Sequence, residues 1–217
     1  MNVSDAVQRR KSVRNFLSTP VSNEVLTELL TKAARAPSGG NVQPWRVFVV
    51  NGERMADLQA HLADAQPQKN PAYQIYPSEL KAPYRDSRFK VGEDMYGLLG
   101  IPREDKAARF AHLARNYEFF GAPAAFFCFV DQQMGPPQWS DLGMFLQTFM
   151  LLAQEAGLDT CAQEAWAMRS EAVAEFVGAQ DELMLFCGMA IGKADPESAV
   201  NSLVSDREAL DVWAKFV

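Results

Sequence analysis

The sequence predicts a mixed α+β fold in which helices flank a central, mostly antiparallel sheet. Helical and extended patterns alternate along the chain without internal repeats or low-complexity tracts. Three apolar segments are typical of buried strands, at residues 46–50, 124–130 and 183–191, and the first of them is rich in β-branched and aromatic residues. A chain of 217 residues with 48% hydrophobic side chains can bury one sizeable core. We therefore expect one domain spanning residues 1–217.

The first part of the chain is predicted to run helix, helix, loop, strand, helix. Ser4 and Asp5 can cap a first helix that ends near Val13, and Ser22 can cap a second helix. Apolar residues between positions 25 and 33 share one face of the second helix. Turn residues 37–40 stop that helix, the strand at 46–50 follows, and a third helix is expected around residues 54–63.

Residues 66–90 combine four prolines and three tyrosines without a sustained period. A long irregular aromatic segment inside a compact domain is typical of a lid or a binding loop. A mobile surface excursion would explain the same composition. We treat residues from about 66 to about 103 as an excursion from the main domain.

The second part of the chain is predicted to supply the centre of the core. A helix at about 104–118 precedes the strand at 124–130, and an apolar helix at about 140–155 follows it. Gly157 stands where a C′ residue would close that helix. The last residues, LDVWAKFV, are too apolar for a free tail. We expect the C-terminal arm, residues 193–217, to pack on another surface, such as a partner subunit.

Charge and cysteine usage exclude several classes of function. The net charge is -6, and 21 basic and 27 acidic residues are interspersed, which argues against a nucleic-acid partner. The N-terminus lacks an apolar signal region and no apolar run could span a bilayer, so we predict a cytoplasmic protein without a membrane partner. Cys128, Cys161 and Cys187 are far apart and only two histidines accompany them, so neither a disulfide nor a metal site is expected.

Two segments could carry chemistry. Arg9, Arg10, Lys11 and Arg14 place four cations within six positions around Ser12, whose hydroxyl can donate to a phosphate. The cluster predicts an anion site, but cations at a helix C-terminus also complement the macrodipole and are often solvated.

The second segment is APSGGNVQPW, residues 36–45. Its glycines allow a backbone to approach a planar ligand, and the carboxamides of Asn41 and Gln43 can pair with the edge of a heterocycle. An ordinary helix-to-strand turn explains the glycines and prolines equally well, but not the two carboxamides.

The combination of RRKSVRNF with APSGGNVQPWRVFVV resembles the paired N-terminal signature of the FMN-dependent nitroreductase family. RNYEFFGAP, WSDLGMFLQTFMLLAQEAGLDTCAQEAW and the tail SDREALDVWAKF follow in the family's order, so the resemblance covers essentially the whole chain. It implies a nitroreductase-like fold and a homodimer with a domain-swapped C-terminal arm. It also implies an FMN that lies across the dimer interface.

The resemblance also implies the cofactor contacts. They comprise Arg10, Lys11, Ser12, Arg14, Pro37, Ser38, Gly39, Asn41, Gln43, Asn116, Gln163, Glu164, Ala165 and Arg207. The stretch 10–14 matches the one that holds the ribityl phosphate, with Arg14 near the pyrimidine edge, where a cation would stabilise an anionic reduced flavin. The loop 37–43 matches the one that reaches FMN from the neighbouring subunit.

Three further positions complete this implied site. Asn116 matches an asparagine on the polar edge of the flavin. The backbone amides of Glu164 and Ala165, in CAQEAW, match donors near flavin N5, although Glu164 could simply cap the following turn. Arg207 matches a C-terminal phosphate-binding arginine. Relatives often carry further basic residues just upstream, where this chain has Ser202, Val204 and Ser205, so its phosphate site has fewer cations there.

The implied activity is hydride transfer from NADH or NADPH to a small electron-poor acceptor by a ping-pong cycle. The flavin carries the chemistry, so no residue is predicted to be catalytic. The sequence has no nucleophile elbow, P-loop or GxGxxG that would indicate another mechanism. Quinone, enone or free-flavin reduction stays open as an alternative, and so does a flavin-binding protein without a catalytic role.

Residues 66–100 resemble a subgroup of the family that includes nitrobenzoate reductases. By this resemblance, the acceptor side of the site would be lined by Tyr73, Tyr76, Tyr84, Arg85 and Phe89. Arg85 is the candidate for a substrate carboxylate, and solvated lid charges would explain Arg85 and Arg88 equally well.

Overall fold

The computed structural model describes residues 1–63, 65–68 and 71–217. The strands are β1 (Phe16–Leu17), β2 (Arg46–Asn51), β3 (Ala124–Asp131), β4 (Asp159–Gln163) and β5 (Leu183–Ala194). The α-helices are α1 (Val3–Arg9), α2 (Asn23–Ala33), α3 (Glu53–Leu62), α4 (Tyr84–Leu98), α5 (Lys106–Ala114), α6 (Pro136–Glu155), α7 (Ser170–Val177) and α8 (Leu210–Trp213). Short 3-10 turns cover Gly39–Asn41, Arg115–Gly121, Glu164–Arg169 and Ala199–Ser202.

The five strands form one antiparallel sheet, which confirms the predicted architecture. The strand order is β1-β5-β3-β2, and β4 also pairs with β5. The long strand β5 pairs with β3 through residues 183–191 and with β4 through residues 188–192. Its last two residues pair with β1. Strand β5 therefore pairs with the central strand β3 along one side and with β4 along the other, and its end pairs with β1.

The core lies on both faces of the sheet because β3 is buried along its whole length. Side chains alternate between faces. Phe126, Cys128 and Val130 accordingly pack with α2 and the apolar helix α6, whereas Phe127 and Phe129 pack with α3, α7 and Trp166. The expectation that α6 is central to the core is confirmed.

Several predicted boundaries agree with the structure. The Ser22 hydroxyl caps α2 by accepting from the Val25 amide at 3.3 Å. The strands predicted at 46–50, 124–130 and 183–191 are β2, β3 and β5, each slightly longer than predicted. Gly157 adopts φ 73° directly after α6, as a C′ glycine should. Helix α6 begins at Pro136 rather than near residue 140, because proline is favoured in the first helical turn.

Other predictions were wrong at the level of elements. Helix α1 ends at Arg9 rather than near Val13, because residues 12 and 13 pair with Thr160 instead. Helix α5 ends at Ala114, and the chain continues as a 3-10 turn. The supposedly irregular excursion contains the four-turn helix α4. Strand β1 and helix α7 were not predicted.

The excursion and the C-terminal arm pack against each other. Helix α4 contacts the turn Ala199–Ser202, and Lys90 of α4 forms an ion pair with Asp206 of the arm at 2.8 Å. Residues 69 and 70 of the predicted excursion lie outside the described residues. Within the part of the chain that the structure describes, no helix is both long and apolar enough to cross a membrane.

Candidate functional site

The cationic segment 9–14 runs beside β4. Ser12 forms a parallel bridge with Thr160, and the Val13 amide donates to the Thr160 carbonyl at 3.0 Å. Val13 is fully buried and anchors the segment in the core. Because side chains alternate along an extended segment, Ser12 and Arg14 lie on the side opposite to Val13. The fold thus fixes a short cationic edge next to the end of the sheet.

The cations of this edge have no acidic partner among the described residues. Arg10, Lys11 and Arg14 are half-buried, and none of them forms a salt bridge there. The Arg14 guanidinium donates to the Ser12 carbonyl at 3.2 Å, and the Arg14 amide donates to Asn201 Oδ1 at 2.9 Å. Half-buried cations without a carboxylate retain their attraction for an anionic ligand.

The end of β4 supplies backbone donors beside this edge. Strand β4 stops at Gln163, and Glu164 opens a 3-10 turn. The first amides of such a turn have no acceptor inside it, so the N–H groups of Glu164 and Ala165 are free for another partner. The Ala165 carbonyl, by contrast, accepts from the Tyr117 hydroxyl at 3.4 Å. The two amides that are predicted to face flavin N5 therefore lie on a turn that the Tyr117 hydroxyl contacts through the Ala165 carbonyl.

A buried carboxamide joins this turn to Asn116. Gln163 is almost fully buried, and its Nε2 donates to the Asn116 carbonyl at 2.8 Å and to Asn116 Oδ1 at 3.2 Å. Trp166 Nε1 donates to Gln163 Oε1 at 3.4 Å. The side chain of Gln163 is thus occupied by internal partners, and any contact with a ligand would come from its backbone. Asn116 is held in a fixed orientation beside the β4 turn.

His112 is a buried titratable residue that the sequence did not single out. Its ring packs against Tyr96 of α4 and Phe120, and its Nε2 has no partner among the described residues. Burial, followed by the charges of Arg115 and Arg14, lowers the pKa of His112. His112 therefore stands as a neutral ring between α4 and the cationic edge.

The loop at residues 36–45 lies on the α6 side of the sheet. The Gly39 amide donates to Asp141 of α6 at 3.2 Å, and the Trp45 ring stacks on Phe145 with centroids 5.0 Å apart. Asn41 and Gln43 have positive φ angles of 57° and 49°, so the backbone of the loop is constrained. Within the described part of one chain, no hydrogen bond connects this loop with residues 10–14. Pro37 and Ser38 lie in the same loop.

The five predicted acceptor residues differ in burial. Tyr73 docks on the body, where its hydroxyl donates to the Phe186 carbonyl and its ring packs near Trp139. Burial, then the neighbouring Cys187 and Glu164, raises the pKa of Tyr73. The remaining four residues are exposed: Tyr76, Tyr84, Arg85 and Phe89.

Arg207 is the predicted phosphate ligand that lies on the C-terminal arm. It lines a cavity of about 460 Å³ between α4 and the C-terminal arm. Arg88 and Lys90 of α4 line the same cavity. No pattern in the sequence distinguishes Arg88 from its neighbour Arg85, so only the fold reveals this grouping.

The three cysteines are not candidates for nucleophiles. All are free and buried. Burial raises the pKa of Cys161 to about 11 and that of Cys187 to about 12, and it raises the pKa of Cys128 as well. Their thiols are therefore protonated and unreactive at neutral pH. Among the described residues there is also no group of His, Cys, Asp and Glu side chains that could hold a metal ion.

Comparison with protein families and curated proteins gives consistent matches. A sequence profile of the nitroreductase family matches residues 7–193. A 4-nitrobenzoate reductase of Pseudomonas putida is 37% identical over 213 residues, which cover 97% of this chain and 93% of the relative. A nitrobenzene nitroreductase of Ectopseudomonas oleovorans is 33% identical, covering 99% of this chain and 96% of the relative.

Solved structures agree with these matches over the full length. The FMN and NADPH-dependent nitroreductase NfnB from Sphigopyxis sp. strain HMH superimposes with a TM-score of 0.94 at 44% identity, covering 100% of this chain and 99% of the other. The FMN-dependent nitroreductase NfnB from Mycobacterium smegmatis, solved in complex with NADPH, gives a TM-score of 0.90 at 26% identity, covering 100% of both chains.

Proposed function

The chain belongs to the nitroreductase family of FMN- and NAD(P)H-dependent oxidoreductases, and we propose that it reduces nitroaromatic compounds, nitrobenzoates among them, by a ping-pong cycle. The observation that carries the choice of acceptor is the full-length relation to a 4-nitrobenzoate reductase at 37% identity. The excursion supports it, because this one segment carries exposed aromatic and cationic side chains.

The residues of the site fit FMN. The half-buried cations Arg10, Lys11 and Arg14 lack acidic partners in the described chain, as expected of side chains that bind an anionic group. Asn116 offers a fixed carboxamide for a heterocyclic edge. The turn after β4 offers free N–H groups next to it. Together these groups supply contacts for a phosphate, a pyrimidine edge and a ring nitrogen.

The protein contributes position and electrostatics to the reaction. Bound FMN supplies the hydride carrier between NAD(P)H and the acceptor. Arg14 would place a positive charge where negative charge accumulates on reduction. The Glu164 and Ala165 amides would orient the reacting ring. No side chain is assigned a proton-transfer step, and the donor and the acceptor would occupy the same open face in turn.

The acceptor would lie under the excursion. Tyr76, Tyr84 and Phe89 present exposed rings that can cover an aromatic substrate. Arg85 is exposed and forms an ion pair only with its neighbour Asp86, at 2.8 Å, so it can exchange that partner for a substrate carboxylate. We assign these residues to acceptor binding as part of the proposal, together with a cytoplasmic location, where NAD(P)H would be available.

A homodimer would complete the site. The loop 37–43 carries two constrained carboxamides that make no hydrogen bond to the cationic edge of their own chain in the described residues. A second copy could present this loop to that edge. The C-terminal arm, with its exposed apolar residues, would hold the two copies together.

The test is an anaerobic half-reaction experiment on the purified full-length protein. We expect a flavin spectrum that bleaches with NADH or NADPH and recovers with 4-nitrobenzoate, with parallel lines in double-reciprocal plots. Recovery with quinones or enones but not with any nitroaromatic acceptor would contradict the proposed substrate class. A protein that neither carries nor binds FMN would contradict the proposal as a whole.

A further inference from the structure

The cavity between α4 and the C-terminal arm contains two cations, Arg88 and Lys90, to which the family resemblance assigns no role. It measures about 460 Å³, which lies within the range of small-ligand sites. Two elements line it, α4 with Arg88 and Lys90, and the arm with Arg207. Three cations from two elements thus line one cavity.

The two arginines of this cavity have spare donors. The Arg88 guanidinium stacks over the Tyr76 ring at 4.1 Å from its centroid. Arg207 donates from one nitrogen only, to oxygens of Ser205 and Asp206. Neither forms a salt bridge with any residue that the structure describes. A guanidinium has five N–H donors, so both retain several for a ligand.

Lys90 has a different role, because its ion pair with Asp206 links the arm to α4. Its ammonium lies 2.6 Å from Asp94 on its own helix and 2.8 Å from Asp206 on the arm. Both carboxylates pair with Lys90, and their hydrogen bonds raise its pKa. Glu208 is the remaining acidic residue of the lining. The ion pairs hold Arg88 and Arg207 on opposite walls of one cavity.

The cavity is connected to the cationic edge by packed elements. The turn Ala199–Ser202, which contacts α4, carries Asn201, and Asn201 accepts from the Arg14 amide at 2.9 Å. Further along α4, Tyr96 packs against His112, with ring centroids 6.1 Å apart. Helix α4 therefore lines the cavity through residues 87–94 and contacts His112 through Tyr96.

We propose that Arg88 of the excursion helix joins Arg207 and the cations of segment 10–14 in binding the phosphate group of the FMN whose presence the proposed function requires. Planar guanidinium groups suit phosphate oxygens, because they donate two parallel hydrogen bonds. Arg88 takes the place of the basic residues that this chain lacks at Ser202, Val204 and Ser205. The excursion is then part of the cofactor site as well as the acceptor site.

The test compares FMN with riboflavin, which lacks the phosphate. Full-length apoprotein is titrated with each flavin and followed by fluorescence quenching, for the wild type and for Arg88→Met. We expect the Kd for FMN to rise at least about tenfold in the variant, because a charged phosphate contact is lost. The Kd for riboflavin should stay within about twofold. Arg88→Lys should lie between the two, because it keeps the charge without the fork.

The matched control is Arg103→Met. Like Arg88, Arg103 places its guanidinium over an aromatic ring, 5.0 Å from the centroid of Phe89. Arg103 does not line the cavity. It should leave both dissociation constants unchanged. Lys90→Met should weaken FMN binding and spare riboflavin, since the arm would no longer hold Arg207 in place.

Three outcomes would overturn the inference, and a fourth would contradict the proposed function itself. Equal FMN affinity in wild type and Arg88→Met would remove Arg88 from the phosphate site. An equal loss of FMN and riboflavin would indicate a change in folding or in ring binding. Selective slowing of reduction by NADPH relative to NADH, with FMN affinity intact, would assign the cavity to the electron donor. A wild type that binds neither flavin would contradict the proposed function itself.

Discussion

Gly188 has no side chain, and this leaves room for Trp166, which belongs to the turn after β4. A Cβ at Gly188 would stand 2.8 Å from Trp166 Nε1 and closer still to Cδ1. Trp166 is fully buried and packs against Phe119 at a centroid distance of 4.6 Å, so it has no space to withdraw. Gly188→Ala should lower the free energy of unfolding by about 1–3 kcal/mol and weaken FMN binding, because the turn must shift. Chemical denaturation and flavin titration measure both effects.

Gly97→Ala is the control for this substitution. Gly97 lies in α4 with a negative φ, and an added Cβ would meet no atom within 4 Å. Alanine is a better helix former than glycine, so this variant should be neutral or gain about 0.5–1 kcal/mol. A Gly188→Ala protein as stable as the wild type would show that Trp166 can move and that the turn is less constrained than its packing indicates.

His112 gives the protein a pH-dependent term in its stability. Its folded-state pKa is depressed, so the unfolded chain binds a proton more readily than the folded chain. The associated stability is present above the unfolded-state pKa of about 6.5 and is lost as the pH falls below it. His112→Phe keeps an aromatic ring of similar size and removes the titration. We expect the variant to lose less stability than the wild type between pH 8 and pH about 5.5.

Denaturant unfolding at the two pH values checks this expectation. The groups that face the ring are Arg14, Arg115, Tyr96 and Phe120, and both charged ones oppose protonation. If wild type and His112→Phe lost the same amount of stability on acidification, the ring would be titrating as freely in the folded chain as in the unfolded one. The flavin spectrum at both pH values shows whether the loss extends to the cationic edge.

At the scale of elements, Tyr73 fixes the start of the excursion on the body. Its hydroxyl donates to the Phe186 carbonyl of β5, and its ring packs near Trp139 of α6. Tyr73→Phe should cost about 1 kcal/mol, and Tyr73→Ala should cost more because packing is lost too. We expect trypsin to cleave the Tyr73→Ala protein faster after the exposed Lys81, since the segment before α4 would detach more often.

Tyr84→Ala is the matched control, because Tyr84 belongs to the same excursion but is 70% exposed. It should leave the cleavage rate at Lys81 and the unfolding free energy close to those of the wild type. Equal cleavage of the Tyr73→Ala and Tyr84→Ala proteins would mean that other contacts, such as Glu93 with Arg109 at 2.6 Å, hold the excursion in place.

The elements that the sequence predicted well are those with a strong local signal. Neighbouring residues are enough to predict the cap at Ser22, the apolar periods of α2 and α6, the strand β3 and the helix end at Gly157. The local pattern also permits a first helix that continues to about Val13, which the sequence therefore predicts. Pairing with Thr160 overrides that preference, and the partner lies far along the chain. Helix α4 was hidden because prolines and tyrosines just before it suggested irregular structure.

For the candidate site, too, the sequence predicts some features and not others. Ser12 pairs with Thr160 of β4, although the two residues are far apart in sequence. The supporting contacts could not be predicted. The Gln163 carboxamide faces inward to Asn116 and Trp166, and Arg88 lines the cavity beside the arm whereas Arg85, one turn earlier in α4, does not. Such roles depend on how elements pack, which no single-sequence pattern records.

At the scale of the whole molecule, the C-terminal arm exposes more apolar surface than a folded monomer should. Trp213 is 68% exposed and Phe216 is 94% exposed, and both follow the exposed Leu210. Burying such side chains is worth about 1.5–3 kcal/mol each. A second copy of the chain could cover this arm, and the loop 37–43 would then meet the cationic edge of the partner.

This arrangement predicts that dimerisation and flavin binding fail together. The double variant Trp213→Asp with Phe216→Asp places two charges on the apolar face of the arm, so it should shift the protein from dimer to monomer in analytical ultracentrifugation. Lys215→Asp adds a carboxylate in the same arm without removing apolar surface and should remain dimeric. The monomeric variant should lose FMN, because a shared site would lack the partner's loop. A wild-type monomer with tightly bound flavin, or a monomeric variant that keeps FMN, would show instead that one chain holds the cofactor alone.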